Sequence, residues 1–180
     1  MGRALNSNST DLQLRKALEN GDPKALEQLW DTYSAVLLAF AKVLLGSRHD
    51  AEDALHELFL RIARNRHAVA KAENLKAYLF RMLRNLALEH LRWRSKTESL
   101  SDSGSSEEEA MLVAVEASDE SLAHDMEAAL KSLPEEQKAV LVMKIYGDMQ
   151  FNEIAEALDI SQNTAASRYR YGLEKLRAFF

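Results

Sequence analysis

The sequence predicts an all-α protein of two small helical domains joined by an acidic flexible linker, and three observations carry that expectation. Glycine and proline number only six and two in 180 residues, while Leu, Ala, Glu, Lys and Arg abound, a composition that favours helix. Apolar residues recur every three or four positions on both sides of the chain's middle, the spacing of a buried helix face. Between them lies a serine-rich acidic stretch with the composition of a tether. The boundaries expected are a disordered N-terminus over 1–10, an N-terminal domain over 11–96, a linker over 97–121 and a C-terminal domain over 122–180. No cysteine is present, so disulfides and thiolate metal ligands are ruled out and a reducing cytosol fits. The longest apolar runs, Ala35–Ala41 and Ala110–Val115, are far too short to cross a bilayer, and residues 1–10 are polar. Neither export nor membrane insertion is expected.

In the N-terminal domain, Leu12, Leu14, Ala17 and Leu18 define a first helix from Asp11, stopped by Gly21. Asp22-Pro23 reads as the N-cap and first helical position of a second helix. Its stripe of Leu26, Leu29, Trp30, Tyr33, Val36, Leu37, Phe40, Ala41 and Leu44 runs to Gly46, with Trp30 and Phe40 expected in the core. Asp50 reads as the cap of a third helix, which turns Ala51, Leu55, Leu58, Phe59 and Ile62 inward. Its first turn is acidic and its last basic, so Asp50, Glu52 and Asp53 either serve the helix dipole or form an acidic docking surface. After a loop over 65–74, a fourth helix from about Leu75 to Arg94 opposes an apolar side to Arg81, Arg84, Asn85, Arg92 and Trp93. That set can contact phosphates and stack on unpaired bases, although a solvated face has the same composition.

The net charge of −5 conceals a strong segregation of sign. Residues 61–96 carry ten Lys/Arg against two acids, whereas residues 97–129 carry ten acids and no Lys or Arg. A solvated surface interleaves both signs; blocks of +8 and −10 instead create fields that steer or repel polyanions. Nucleic acid becomes a candidate partner.

The C-terminal domain begins with two amphipathic helices over 122–133 and 135–146, the second entered with Pro134 at its first position. The stretch from Phe151 to Tyr171 reads as a helix-turn-helix. Ile154, Ala155 and Leu158 have helical spacing, Ala155 is small enough for a close crossing, Ile160 plugs the turn and Ser161 caps the second helix. Gln162, Asn163, Thr164, Ser167, Arg168 and Arg170 then occupy its exposed positions, residue types that donate to phosphates and to base edges in the major groove. Tyr169, Leu173 and Leu176 can face the core.

Taken in order, these motifs resemble the extracytoplasmic-function (ECF) group of bacterial RNA polymerase sigma factors. The resemblance rests on Asp50 to Arg61, on Leu79 to Ala87 with Leu91-Arg92, and on Leu133-Pro134-Glu135-Glu136-Gln137 through Glu153-Ile154-Ala155-Glu156 to Ser167-Arg168. It implies a region 2-like domain over 11–96 and a region 4-like domain over 122–180. It implies core RNA polymerase as a partner, with Asp50, Glu52, Asp53, Glu57 and Phe59 meeting the clamp of the largest subunit. It also implies that Arg66, Lys71, Asn74, Lys76, Arg81, Arg84, Asn85 and Arg92 capture the unpaired downstream (minus ten) promoter element. Gln162, Asn163, Thr164, Ser167, Arg168 and Arg170 would read the upstream (minus thirty-five) element. An anti-sigma factor is a candidate further partner, the location implied is cytoplasmic, and no cofactor or small-molecule ligand is expected. Ala166 and Tyr171 depart from the basic or polar residues frequent in the group, so the base preference should be this chain's own. The acidic linker fits a nucleic-acid mimic inside basic polymerase channels and a solvated spacer equally well, and its apolar run Ala110–Val115 suggests docking. With the sequence ending at Phe180, no large C-terminal extension is expected.

Other function classes find less support. There is no glycine-rich phosphate loop, no His-Glu-x-x-His and no cysteine nucleophile, and the five histidines are scattered, so neither an enzyme nor a metal site is expected. A stand-alone helix-turn-helix regulator is the alternative, although such proteins usually bind paired half-sites as dimers and this chain shows one recognition helix and no dimerisation heptads.

Overall fold

The computed structural model describes residues 7–98 and 132–178, and these are helical with no strand among them. The N-terminal helices are α1 (Ser7–Glu19), α2 (Ala25–Leu45), α3 (Arg48–Arg64), the short α4 (Arg66–Ala70) and α5 (Leu75–Glu98). The C-terminal helices are α6 (Glu135–Ile145), α7 (Phe151–Leu158) and α8 (Gln162–Arg177). The linker expected over 97–121 lies outside the described residues apart from its first two positions. So do the apolar run Ala110–Val115 and nearly all of the helix expected over 122–133, of which Ser132 and Leu133 are described, in a turn.

Several helix ends differ from the sequence reading for reasons of capping. Residues 7–10, expected to be disordered, already belong to α1. Asp22-Pro23 does not begin α2: the Asp22 carboxylate accepts from the Lys24 amide at 2.9 Å, making a local turn, and the helix starts at Ala25. Asp50 is not the cap of α3. Ser47 is the N-cap in extended conformation, its hydroxyl accepting from the Asp50 amide at 3.3 Å, which leaves the Asp50 carboxylate for Arg94 at 3.3 Å. Pro134 is the residue before α6 rather than its first helical residue. Part of the expected 65–74 loop is helical as α4.

Gly46 ends α2 in the left-handed region (φ 69°), where its amide reaches the Lys42 carbonyl, the geometry a Cβ would strain. From there α3 folds back along α2, and α5 closes the bundle over both. Phe40 and Phe80 meet edge to face at its centre, ring centroids 5.0 Å apart, both fully buried. Trp30 is not a core residue: it is 37% exposed and lies over Phe59 and His56. The C-terminal helices pack on this bundle, α6 against α2 and α7 against α5, so one buried apolar cluster includes residues of both modules.

A polar corner lies beside that junction. The Tyr33 hydroxyl donates to Asp11 of α1, and Arg15 donates to the carbonyls of Ala72 and Glu73 at 2.5 and 2.9 Å. Burial raises the Asp11 carboxyl above its usual range; the Tyr33 hydrogen bond, Lys76 and Arg15 oppose the rise and Glu153 adds to it. A raised folded-state value means that the native chain holds more protons than the unfolded one above about 3.8, so the Asp11 contribution to stability falls as pH rises through that window. Asp11→Asn is therefore expected to stabilise the protein near neutral pH, with the gain vanishing in acid. Urea unfolding at both pH values measures this, and a loss of stability at neutral pH would show that the charge interactions with Lys76 and Arg15 dominate.

Candidate nucleic-acid and protein interfaces

The helix-turn-helix is built by local chemistry. The α7 N-terminus carries a capping box in which the Glu153 carboxylate accepts from the Gln150 amide at 2.6 Å. After α7, Asp159 takes the left-handed conformation (φ 56°), which a short polar side chain tolerates, and the Ile160 amide bonds back to Ala155 at 3.0 Å. Ser161 then caps α8 through the Thr164 amide at 3.0 Å, as its position before the second helix suggested. Phe151 and Tyr169 make an edge contact, centroids 5.6 Å apart, that ties the two helices together. Gly172 admits the α6 crossing, since a Cβ there would stand 2.9 Å from Leu141 Cδ1.

The candidates for the upstream element divide into two groups. Gln162, Asn163 and Arg170 are exposed, with the Arg170 guanidinium over the Tyr171 ring at 5.2 Å. Thr164, Ser167 and Arg168 are half-buried and internally engaged. The Ser167 hydroxyl donates to the Thr164 carbonyl at 3.0 Å, the Thr164 and Ser161 hydroxyls share a hydrogen bond of 2.8 Å, and Arg168 pairs with Glu136 of α6 at 2.5 Å.

The candidates for the downstream element are likewise split. Lys71, Asn85 and Arg92 are exposed, while Arg84 is half-buried. Arg66 donates to the Ala63 carbonyl at 3.2 Å, and Arg81 lies over the Tyr78 ring at 5.6 Å. Asn74 and Lys76 face the C-terminal module instead of solvent. The Asn74 amide donates to Glu153 at 2.8 Å, and Lys76, 9% exposed, donates to the Gly147 carbonyl at 2.8 Å.

The acidic residues of α3 are paired in place: Glu52 with Arg48 (2.8 Å), Glu57 with Arg61 (2.9 Å), Asp50 with Arg94 (3.3 Å) and Asp53 near His49 (3.7 Å). The Glu52 carboxyl is held below its usual range by the Arg48 hydrogen bond. Beside this row is an apolar hollow of about 550 Å³, bounded by Leu26, Trp30, His56, Phe59, Leu60 and Ala63 with Glu27 at its edge. Periodicity identified Phe59 but missed this hollow. Leu60 is 51% exposed and falls off the core stripe, the one sequence signal that could have marked it.

Comparison with known proteins bears on the whole chain. Residues 29–97 match the model for sigma-70 region 2, and residues 129–178 match the model for sigma-70 region 4. ECF RNA polymerase sigma factor SigL of Mycobacterium tuberculosis (strain ATCC 25618 / H37Rv) is 30% identical over 156 residues, covering 84% of this chain and 86% of SigL. ECF RNA polymerase sigma factor SigW of Bacillus subtilis (strain 168) is 25% identical over 172 residues, covering 90% and 92%. Among solved structures, the sigma factor RpoE of Bartonella quintana, in complex with the anti-sigma factor NepR, shares the fold. Its TM-score is 0.74 at 24% identity, over 87% of this chain and 96% of that one. Two matched regions, a relative 30% identical over most of both chains and a shared all-helical fold leave one conclusion: the chain belongs to the ECF family of RNA polymerase sigma factors.

Proposed function

We propose that this sigma factor binds core RNA polymerase through α3 and directs initiation by reading the upstream element with α8 and the unpaired downstream element with α4, α5 and the loop between them. The observation that carries the reading is the capped recognition helix. Ser161 fixes the start of α8, so Gln162 and Asn163 project from its exposed first turn, the part of a helix-turn-helix that enters the major groove. On the N-terminal module, Lys71, Asn85 and Arg92 supply exposed donors on the side away from the core, suited to phosphates and splayed bases.

The polymerase contact joins the acidic row Asp50, Glu52, Asp53 and Glu57 to the apolar hollow around Phe59, Trp30 and Leu60. Aromatic anchors beside a charged rim are the usual anatomy of a protein interface. An anti-sigma factor is the class of regulator we propose, as one accompanies the Bartonella quintana RpoE. The workplace of such a protein is the cytoplasm, and no described helix is long and apolar enough to cross a membrane.

Run-off transcription with core polymerase on a library of promoter fragments tests the function. Initiation that depends on the added protein, and that falls about tenfold or more on Trp30→Ala with Leu60→Ala, is expected, since interface anchors commonly carry 2 kcal/mol or more each. Binding to duplex DNA without polymerase-dependent initiation would replace this reading with that of a stand-alone regulator.

A further inference from the structure

Residues 71–74, which lead from the end of α4 into α5, are held by a side chain from neither of those helices. Nη1 of Arg15, on α1, donates to the carbonyls of Ala72 and Glu73 at 2.5 and 2.9 Å, across 57 and 58 residues of sequence. Both carbonyls fall between the two helices. Open carbonyls past a helix C-terminus are natural acceptors for arginine, and a charged donor makes such a bond about twice as strong as a neutral one does. The Arg15 Nε is shut off from solvent, so the side chain is seated in the fold and not laid on its surface.

The helix that carries Arg15 is itself anchored. Leu14 and Leu18 are buried, and Asp11, one turn before Arg15, accepts from the Tyr33 hydroxyl of α2. The loop's own bonds fix its two ends. The Lys71 amide reaches the His67 carbonyl at 3.3 Å and the Ala72 amide reaches Val69 at 3.1 Å, while the Asn74 side chain caps α5 through the Ala77 amide at 2.9 Å. Arg15 sets the middle, where Ala72 and Glu73 stand between the exposed Lys71 and the start of α5. Helix α1 precedes the residues 29–97 that match region 2, so this support comes from a part of the chain that the match does not cover.

We propose that Arg15 is a positioning residue for promoter reading: by holding the Ala72 and Glu73 carbonyls it fixes the shape in which residues 71–74 present Lys71 and the start of α5 to the unpaired downstream element. The inference rests on the reading of that loop as part of the surface that captures the downstream element. Selective recognition needs its groups placed to within about 0.5 Å, and a short loop free to shift offers the same donors to wrong bases almost as well. Arg15 acts through the loop, from the side of α1.

Arg15→Met keeps the reach and the apolar stem of the side chain but removes its donors. Lys16→Met, one position on and exposed, makes the same charge change and is the control. Hydrogen exchange of the full chain, read by mass spectrometry, should show the Lys71 and Ala72 amides exchanging about tenfold or more faster in Arg15→Met than in the wild type. Helix α1 should stay protected, and Lys16→Met should leave the loop unchanged. Holoenzyme reconstituted with core polymerase is then tested by run-off on two promoter libraries, one randomised in the downstream element and one in the upstream element. At the most selective downstream position the wild type should favour its best base by about tenfold or more and Arg15→Met by about threefold or less, while upstream preferences stay within about twofold of the wild type. Arg15→Lys, whose ammonium stops about one bond short of the carbonyls, should fall between the two.

Loop amides that exchange no faster in Arg15→Met overturn the proposal. So does α1 exchanging as fast as the loop, which would make Arg15 a docking residue of α1 alone. Freed loop amides with wild-type downstream preference overturn it as well, as do equal losses in the two libraries, since a general loss of folding or of polymerase binding touches both. Should Arg15→Met fail to fold, Arg15→Lys is judged by the same criteria. A wild-type holoenzyme that initiates with no downstream preference removes the promoter reading on which the inference rests, a result distinct from all of these.

Discussion

Phe40→Ala is expected to destabilise the protein by about 3–5 kcal/mol, much of what holds an ordinary domain folded. Phe40 is fully buried on α2 and meets Phe80 of α5 edge to face, so truncation loses the transfer energy of the ring, leaves a cavity and deprives Phe80 of its partner. Urea unfolding followed by circular dichroism measures the change, which should also lower the thermal midpoint by roughly 10 °C. Trp30→Ala is the contrasting variant. Trp30 lies on the rim of the α2/α3 hollow and is partly exposed, so its loss should cost well under half as much stability while impairing polymerase-dependent transcription. Equal destabilisation by the two substitutions would show that the hollow is a structural part of the bundle instead of a docking surface.

The second large effect is expected at Arg168. Its place in the recognition helix suggests a DNA contact, but the guanidinium is paired with Glu136 on α6, and the close packing of Gly172 on Leu141 secures the same crossing. We expect Arg168→Ala to weaken binding to an upstream-element duplex selected by run-off by about tenfold, since it removes both the anchor of the recognition helix on α6 and a positive charge near the DNA. We also expect Glu136→Gln to weaken it about threefold or more, although that change removes a negative charge near the DNA and would on electrostatic grounds strengthen binding. Anisotropy with the duplex reads both variants, and a double-mutant cycle isolates the pair. If Glu136→Gln binds more tightly than wild type, Arg168 touches the DNA itself and the ion pair is a competitor; if it binds more weakly, Arg168 acts by positioning α8.

The helix-turn-helix was legible because its determinants are local. Ser161 lies three residues before the amide it caps, and Ile160 follows directly on the turn it fills. The α3 cap misled for an equally local reason. Ser47 and Asp50 are both good capping types three residues apart, and the choice depends on Ser47 being extended while Asp50 has a distant partner in Arg94. Trp30 shares the apolar stripe of α2, yet periodicity cannot distinguish the face covered by α3 and α5 from its margin.

Composition and helical periodicity were enough to establish an all-helical chain, and the separation of +8 from −10 to make nucleic acid a candidate partner, because helix propensity, capping and charge along the chain are properties of neighbours in sequence; the sigma type came from the resemblance carried by the ordered motifs. Tertiary structure decided which residues are available. The family resemblance implies Asn74 and Lys76 as DNA contacts, yet their side chains bond to Glu153 and Gly147, 79 and 71 residues further on. No local pattern encodes which donor meets which acceptor across so many intervening residues. That pairing exists only once α7 packs on α5 and burial makes an unpartnered ammonium too costly to leave.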